Sequence, residues 1–178
     1  LVGVMALVQR PLAAILAQPE IRTPEDLEGE RVGVTGLPSD DAALESILRG
    51  GGADPAKVRK TTIGFEAVRA LVSGRVAGAT AFWNAEGVAL RAEKPDVREF
   101  RVDEFGAPRY PELVLVVERR TLDDNPDLVR SVIRAMQRGY FETIKDPESA
   151  VTAMTDEVRD LDRGVLAAQL DAVAPAFF

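Results

Sequence analysis

Residues 80–90, TAFWNAEGVAL, set an aromatic ring, an amide and a carboxylate side by side: Phe82, Trp83, Asn84 and Glu86. Trp83 is the only Trp of the chain. An indole can stack a flat ring, and a carboxylate accepts hydrogen bonds from ring N–H or amino groups. The same residues have a plain structural use, Trp83 as core filler and Glu86 as a first-turn acid favoured by the helix dipole. A second group is Thr35, Gly36, Ser39, Asp40 and Asp41, where hydroxyls and backbone N–H groups gather at a turn. Such a turn can bind an anion, but Ser39 reads as a helix cap and the two acids would repel a phosphate. Neutral or weakly anionic ligand groups are the expected guests, and simple capping is the alternative. The third group, Asp103, Glu104, Arg109, Tyr110 and Glu112, reads either as one wall of a cleft or as solvated hinge residues.

What is missing narrows the chemistry. The 178 residues hold no His and no Cys, so there is no disulfide, no Ser-His or Cys-His nucleophile pair and no imidazole metal ligand. Carboxylates show no EF-hand-like spacing. No GxGxxG and no Walker lysine appears, so no nucleotide cofactor is expected, and no metal. The net charge is -7, and the basic residues are scattered without interleaved aromatics, which excludes nucleic acid as an expected partner. The longest apolar runs, residues 1–8 and 12–17, are too short to span a membrane. The chain begins at Leu1 and ends on apolar residues, so further sequence is expected on both sides and no signal peptide is visible. An enzyme is not expected, since no carboxylate or lysine stands out as held in an apolar pocket.

These groups need elements to position them. Residues 1–8 read as a buried strand and 12–17 as a second. Thr23, Pro24 and Asp26 start a short helical turn. A βα alternation follows: a strand at 31–35, a helix at 40–49 closed by three glycines, a strand at 58–63, a helix at 65–73, and a strand at 75–81 that delivers the Trp83 group into a short helix. Three such steps predict a parallel sheet with helices on its faces and all three strand ends on one edge. In open α/β sheets that is the ligand-facing edge. Residues 97–102 and 113–117 read as further strands, the latter returning to pair with 1–8. Helices are expected from Asn125-Pro126 to about 144, from Asp146-Pro147 to about 154, and over 161–173.

The order TPEDLEGERVGVTG (23–36), SDDAALESILRGGGADPAKV (39–58), IGFEAVRALVSGRV (63–76) and FWNAEG (82–87) resembles the substrate-binding proteins of ABC importers. More narrowly it is similar to the family of sulfonate, nitrate and thiamine-pyrimidine-precursor binders. The WNAEG segment, followed by FRVDEFGAPRYPELVL (100–115), looks most like the pyrimidine-precursor branch. The resemblance covers most of residues 1–120. It implies an α/β periplasmic-binding-protein fold of type II with two lobes, with the start of the first lobe absent from this sequence. Residues 1–20 and 117–178 would belong to the first lobe and 30–105 to the second, with crossings at 21–29 and 106–116. It implies capture of a small molecule, a hydroxymethylpyrimidine or formylaminopyrimidine, in an interlobe cleft. Delivery would be to a membrane ABC permease, by a monomer in the periplasm or anchored outside the cell membrane as a lipoprotein. Thr35, Gly36, Ser39, Trp83, Asn84 and Glu86 would line the cleft from the second lobe, with Tyr110 and Glu112 near the returning crossing.

One departure is at Gly74-Arg75-Val76-Ala77-Gly78, where the family usually reads G-R-V-D-A. A sulfonate or nitrate binder is the first alternative. It would want a cationic or amide-rich pocket, and Asp40, Asp41 and Glu86 point the other way. Enzymes of this fold that make the thiamine pyrimidine use histidine and iron, and this sequence has no His. A sensor that keeps the fold without transport is the remaining alternative.

Overall fold

The computed structural model describes residues 1–177. In chain order the elements are β1 (Val2–Val8), β2 (Ala13–Ala17), β3 (Arg31–Val34), α1 (Pro38–Gly50), β4 (Arg59–Thr62), α2 (Ala67–Val72), β5 (Gly78–Phe82), α3 (Glu86–Glu93), β6 (Arg98–Arg101), β7 (Leu113–Val117), α4 (Arg119–Asp124), α5 (Pro126–Lys145), α6 (Pro147–Glu157) and α7 (Arg163–Val173). They form two units. One is Leu1–Arg10 with the chain from Tyr110 onward, and the other is Pro11–Arg109.

The Pro11–Arg109 unit is built on a five-stranded sheet in the order β4-β3-β5-β2-β6. β3 is parallel to β4 and to β5, while β2 runs antiparallel to both β5 and β6. The expected parallel alternation therefore holds for β4-β3-β5, and one antiparallel strand is inserted beside it. That strand is β2, whose sequence AAILA is apolar on both faces, as a central strand requires. Ile15 and Leu16 are fully buried on opposite faces. Ile15 joins Val32, Val34, Leu44, Ile47 and Leu48 under α1. Leu16 joins Ala67, Ala70, Leu71, Ala79 and Leu90 under α2 and α3.

This corrects the expected domain boundaries. Residues 11–20, assigned from sequence to the first lobe, lie at the heart of the other sheet. Residues 21–29 are not a crossing, because β2 and β3 share that sheet. They form a surface turn whose Ile21 and Leu27 are buried in the same core. Asp26 Oδ2 accepts the N–H groups of Arg22 and Thr23 at 2.8 and 2.9 Å. The chain passes between units at 10/11 and 109/110, the second within the expected 106–116 segment.

In the other unit, β1 and β7 form a two-stranded antiparallel ribbon. The return of 113–117 to residues 1–8 is thus observed. The expectation that residues 1–8 are buried is not met: only Val8 is, since β1 pairs with β7 alone among the described residues. Leu113, Val114 and Val116 of β7 and Leu128, Val132 and Phe141 of α5 are exposed. The end of β1 is tied down by Gln9, whose backbone N–H donates to Ala176 O at 2.6 Å and whose side chain donates to Phe177 O at 3.1 Å. Asp146 and Asp162 cap α6 and α7 by accepting Ser149 and Val165 N–H groups.

Candidate ligand-binding site

Because β3, β4 and β5 are parallel, they end at one edge of the sheet. β6 ends there too, and β2 begins there. Val34 faces Thr62, Ala13 faces Phe82 and Ala14 faces Arg101. The edge therefore carries residues 35–37, 63–66 and 83–85, together with Pro11 and Leu12. This is where an open α/β sheet presents a ligand.

Thr35 and Gly36 are on this edge, as the sequence reading places them. The donors of Thr35 are already engaged. Asp40 Oδ2 accepts from Thr35 N (2.7 Å), Thr35 Oγ1 (2.6 Å) and Thr80 Oγ1 (2.9 Å). The Thr35 hydroxyl oxygen accepts Leu37 N–H at 3.2 Å. The chain's own carboxylate thus sits where an anion would bind the turn. Gly36, at φ +99°, takes the left-handed conformation that lets the carboxylate fold back over the turn. Ser39 does not cap α1. The helix begins two residues earlier than the expected start at 40, at Pro38, with Leu37 as its N-cap, and Ser39 is exposed. Asp41 pairs with Lys60 at 2.7 Å on the surface.

Trp83 departs furthest from expectation. Its side chain is 3% exposed. The indole N–H donates to Pro11 O at 3.0 Å, and the Trp83 backbone N–H donates to Leu12 O at 3.0 Å. The Arg101 guanidinium lies over the ring, 4.1 Å from its centroid. Arg101 is held in turn by Glu99 at 2.6 Å, Glu99 also pairs with Arg91, and Arg91 reaches back to Trp83 O at 3.3 Å. The expected stacking face is occupied, and Trp83 fastens the first strand of its unit.

Glu86 is half-buried, and its Oε2 accepts the Phe82 N–H at 3.0 Å. That bond seats the carboxylate beside Phe82 and leaves Oε1 without a partner among the described residues. The buried Oδ1 of Asn84 likewise has none. Tyr110 and Glu112 belong to the other unit. The structure therefore gathers Thr35, Gly36, Asn84 and Glu86 on one edge, buries Trp83 beneath it and leaves Ser39 exposed in the first turn of α1.

The edge also bears two exposed apolar side chains, Leu37 at 50% and Phe82 at 45%, while Phe65, 80% exposed, lies beside Val68, Arg69 and Val72 on the outer side of α2. The sequence reading placed Phe65 in a helix, whereas α2 starts at Ala67 and Phe65 stands in the loop before it. The signal was present in Ile63-Gly64-Phe65, an aromatic directly after a glycine that ends a strand. The departure at Ala77 lies before β5, at the opposite end of that strand from Phe82. Among the described residues, no group of three or more Asp and Glu side chains could hold a metal ion.

The family model described as NMT1/THI5 like matches residues 1–150. The chain belongs to the NMT1/THI5-like family. Among curated relatives of this NMT1/THI5-like chain, the formylaminopyrimidine-binding protein of Halalkalibacterium halodurans is 30% identical over 156 residues, covering 86% of this chain and 47% of that protein. The riboflavin-binding protein RibY of Chloroflexus aurantiacus is 28% identical over 170 residues, 93% of this chain and 48% of that one. The chain spans about half the length of the curated relatives it matches. Among solved structures, the periplasmic aliphatic sulphonate binding protein SsuA of Escherichia coli superposes with a TM-score of 0.76 at 19% identity, over 94% of this chain and 57% of that one. The alkanesulfonate-binding protein SsuA of Xanthomonas axonopodis pv. citri gives 0.68 at 18% identity, over 97% and 61%. The fold is the two-lobe α/β fold of type II periplasmic binding proteins.

Proposed function

We propose that this chain is part of the solute receptor of an ABC importer. It acts outside the cytoplasmic membrane, in the periplasm or on a lipid anchor, and hands a small molecule to a membrane permease without altering it. The family match over residues 1–150 carries this reading at the level of the sulfonate, nitrate and pyrimidine class.

At the level of the ligand, our reading is a nitrogen heterocycle of the thiamine-pyrimidine-precursor type, with a sulfonate or nitrate as the second reading. An anion bound at a helix-start turn needs uncommitted N–H or hydroxyl donors. Here Asp40 takes up the backbone N–H of Thr35 and the hydroxyl protons of Thr35 and Thr80. Beside these committed donors stands an acceptor, Glu86 Oε1, which suits a ligand that donates from an amino group or ring N–H. The relatives named for formylaminopyrimidine and riboflavin point the same way. In this reading Glu86 accepts from the ligand, Asn84 assists, Thr35 and Gly36 shape the floor, and Ser39, Tyr110 and Glu112 are peripheral. Trp83 supports the site from below.

Calorimetric titration of the full-length protein with 4-amino-5-hydroxymethyl-2-methylpyrimidine, its formylamino relative, taurine and nitrate tests this. Heat with a pyrimidine and none with the anions is expected. Glu86→Gln should then weaken pyrimidine binding by about 1–3 kcal/mol, because a charged acceptor is lost. Heat only with taurine or nitrate would reassign the ligand to the anion branch.

A further inference from the structure

The place where an anion would meet the turn after β3 is filled by the chain itself. We propose that Asp40 is a built-in anion that sets the class of ligand at this edge. It closes the turn to nitrate, sulfonates and carboxylates, and its removal opens a site for a small anion there. This rests on the reading that the ligand meets this sheet edge, and not on which ligand it is.

Three donors converge on Asp40 Oδ2: the Thr35 N–H at 2.7 Å, the Thr35 hydroxyl at 2.6 Å and the Thr80 hydroxyl at 2.9 Å. None of them belongs to the first turn of α1. Thr35 directly follows β3, and Thr80 lies within β5. Thr80 is 5% exposed, so its hydroxyl is fixed by the sheet and not by solvent. Thr35 and Asp40 are half-buried, which leaves the group reachable from the edge. A backbone N–H and two hydroxyls around one carboxylate oxygen are a donor set for an oxyanion. Formate is the Asp40 carboxylate without its tether, and nitrate is planar like it.

The neighbouring strand end is treated the same way. The Phe82 N–H at the end of β5 donates to Glu86 Oε2 at 3.0 Å. The next N–H, that of Trp83, points to β2 by donating to Leu12 O. Successive N–H groups of an extended chain point to opposite sides, so the Phe82 N–H and its carboxylate lie on the β3 side. Two adjacent strand ends thus have donors filled by the chain's own carboxylates. Arg101, at the end of β6 on the same edge, is committed to Glu99 and to the Trp83 ring. A free anion arriving at the turn meets filled donors and a repelling field. Removing Asp40 changes this without orphaning the buried hydroxyl, because Thr80 Oγ1 has Gly33 O at 3.4 Å as a second acceptor. The N–H and hydroxyl of Thr35 are then the open donors, and an anion of the lost carboxylate's shape satisfies them.

The test is calorimetric titration of the full-length protein with sodium formate and sodium nitrate, with melting temperatures taken in the same salts. The unaltered protein should bind neither saturably. Asp40→Ala should bind at least one of them about tenfold or more tighter than the unaltered protein does. That salt should raise its melting temperature by about 2 °C or more beyond the change in the unaltered protein. Asp40→Asn keeps the place filled and should gain neither anion, which separates opened space from lost charge. Asp40→Ser, which keeps one acceptor for the three donors, is the second variant. If either variant is unfolded in buffer, formate or nitrate should restore its cooperative melting. No gain in a folded Asp40→Ala or Asp40→Ser, no rescue of both where both are unfolded, or an equal gain in Asp40→Asn would overturn the inference. So would nitrate or formate binding by the unaltered protein that Asp40→Ala leaves unchanged. A pyrimidine titration without heat would remove the pyrimidine as ligand, and the anion titrations would still decide the role of Asp40 by themselves.

Discussion

Asp40 shows at residue scale how a side chain that looks like a ligand contact serves the chain instead. One of its carboxylate oxygens accepts three hydrogen bonds, from a backbone N–H and two hydroxyls, one of them on the buried Thr80. Asp40→Asn would place an amide among three donors and cost about 1–3 kcal/mol. Asp41→Asn should change stability by less than about 0.5 kcal/mol, because its pair with Lys60 is exposed. Thermal denaturation of the two variants checks this, and equal melting temperatures would mean that the three bonds add nothing. The sequence made Asp40 and Trp83 legible as notable residues, but their partners were out of reach. Trp83 is covered by Arg101 and bonded to Pro11, contacts that no local spacing encodes. Glu86 was read correctly as a junction residue because its partner, Phe82, is four positions away.

At the scale of elements, local signals served well and pairing signals did not. Asp146-Pro147 and the start of α5 at Pro126 were visible in the sequence because capping is a matter of adjacent residues. β2 was visible as a strand, yet an apolar run carries no mark of which sheet it joins. Its place between β5 and β6 is decided by residues 61 to 87 positions downstream. The end of α1 makes a similar non-local demand. A Cβ on Gly50 would lie 1.8 Å from the backbone oxygen of Phe105, and on Gly139, in the middle of α5, it would meet nothing within 4 Å. Gly50→Ala must displace main chain and should cost at least about 2 kcal/mol. Gly139→Ala should stabilise by about 0.5–1 kcal/mol through helix propensity and reduced unfolded-chain entropy. Opposite shifts of the denaturant midpoint are expected, and a destabilised Gly139→Ala would mean that α5 packs there against something its exposure conceals.

Over the whole molecule, ionisation sets wide limits on stability. Hydrogen bonds from the Thr23 and Arg22 backbone hold Asp26 below its ordinary pKa near 3.8, and Ser149 does the same for Asp146. Lys57 lowers Glu28 from 4.5, and Glu28 raises Lys57 from 10.5. Depressed carboxylates give stability that is complete above their unfolded values and is lost as pH falls through the folded ones. The raised lysine gives stability that is complete below 10.5 and is lost as pH rises through its folded value. Both units are affected alike on the acid side, since Asp26 and Glu28 lie in one and Asp146 in the other. The sequence has no His, so no side chain of ordinary pKa titrates between these limits. The urea midpoint should therefore be flat from about pH 5.5 to 8.5 and fall below about pH 4. A step in the midpoint near neutral pH would overturn this, since it would require burial or a neighbouring charge to move some group of either unit into that range.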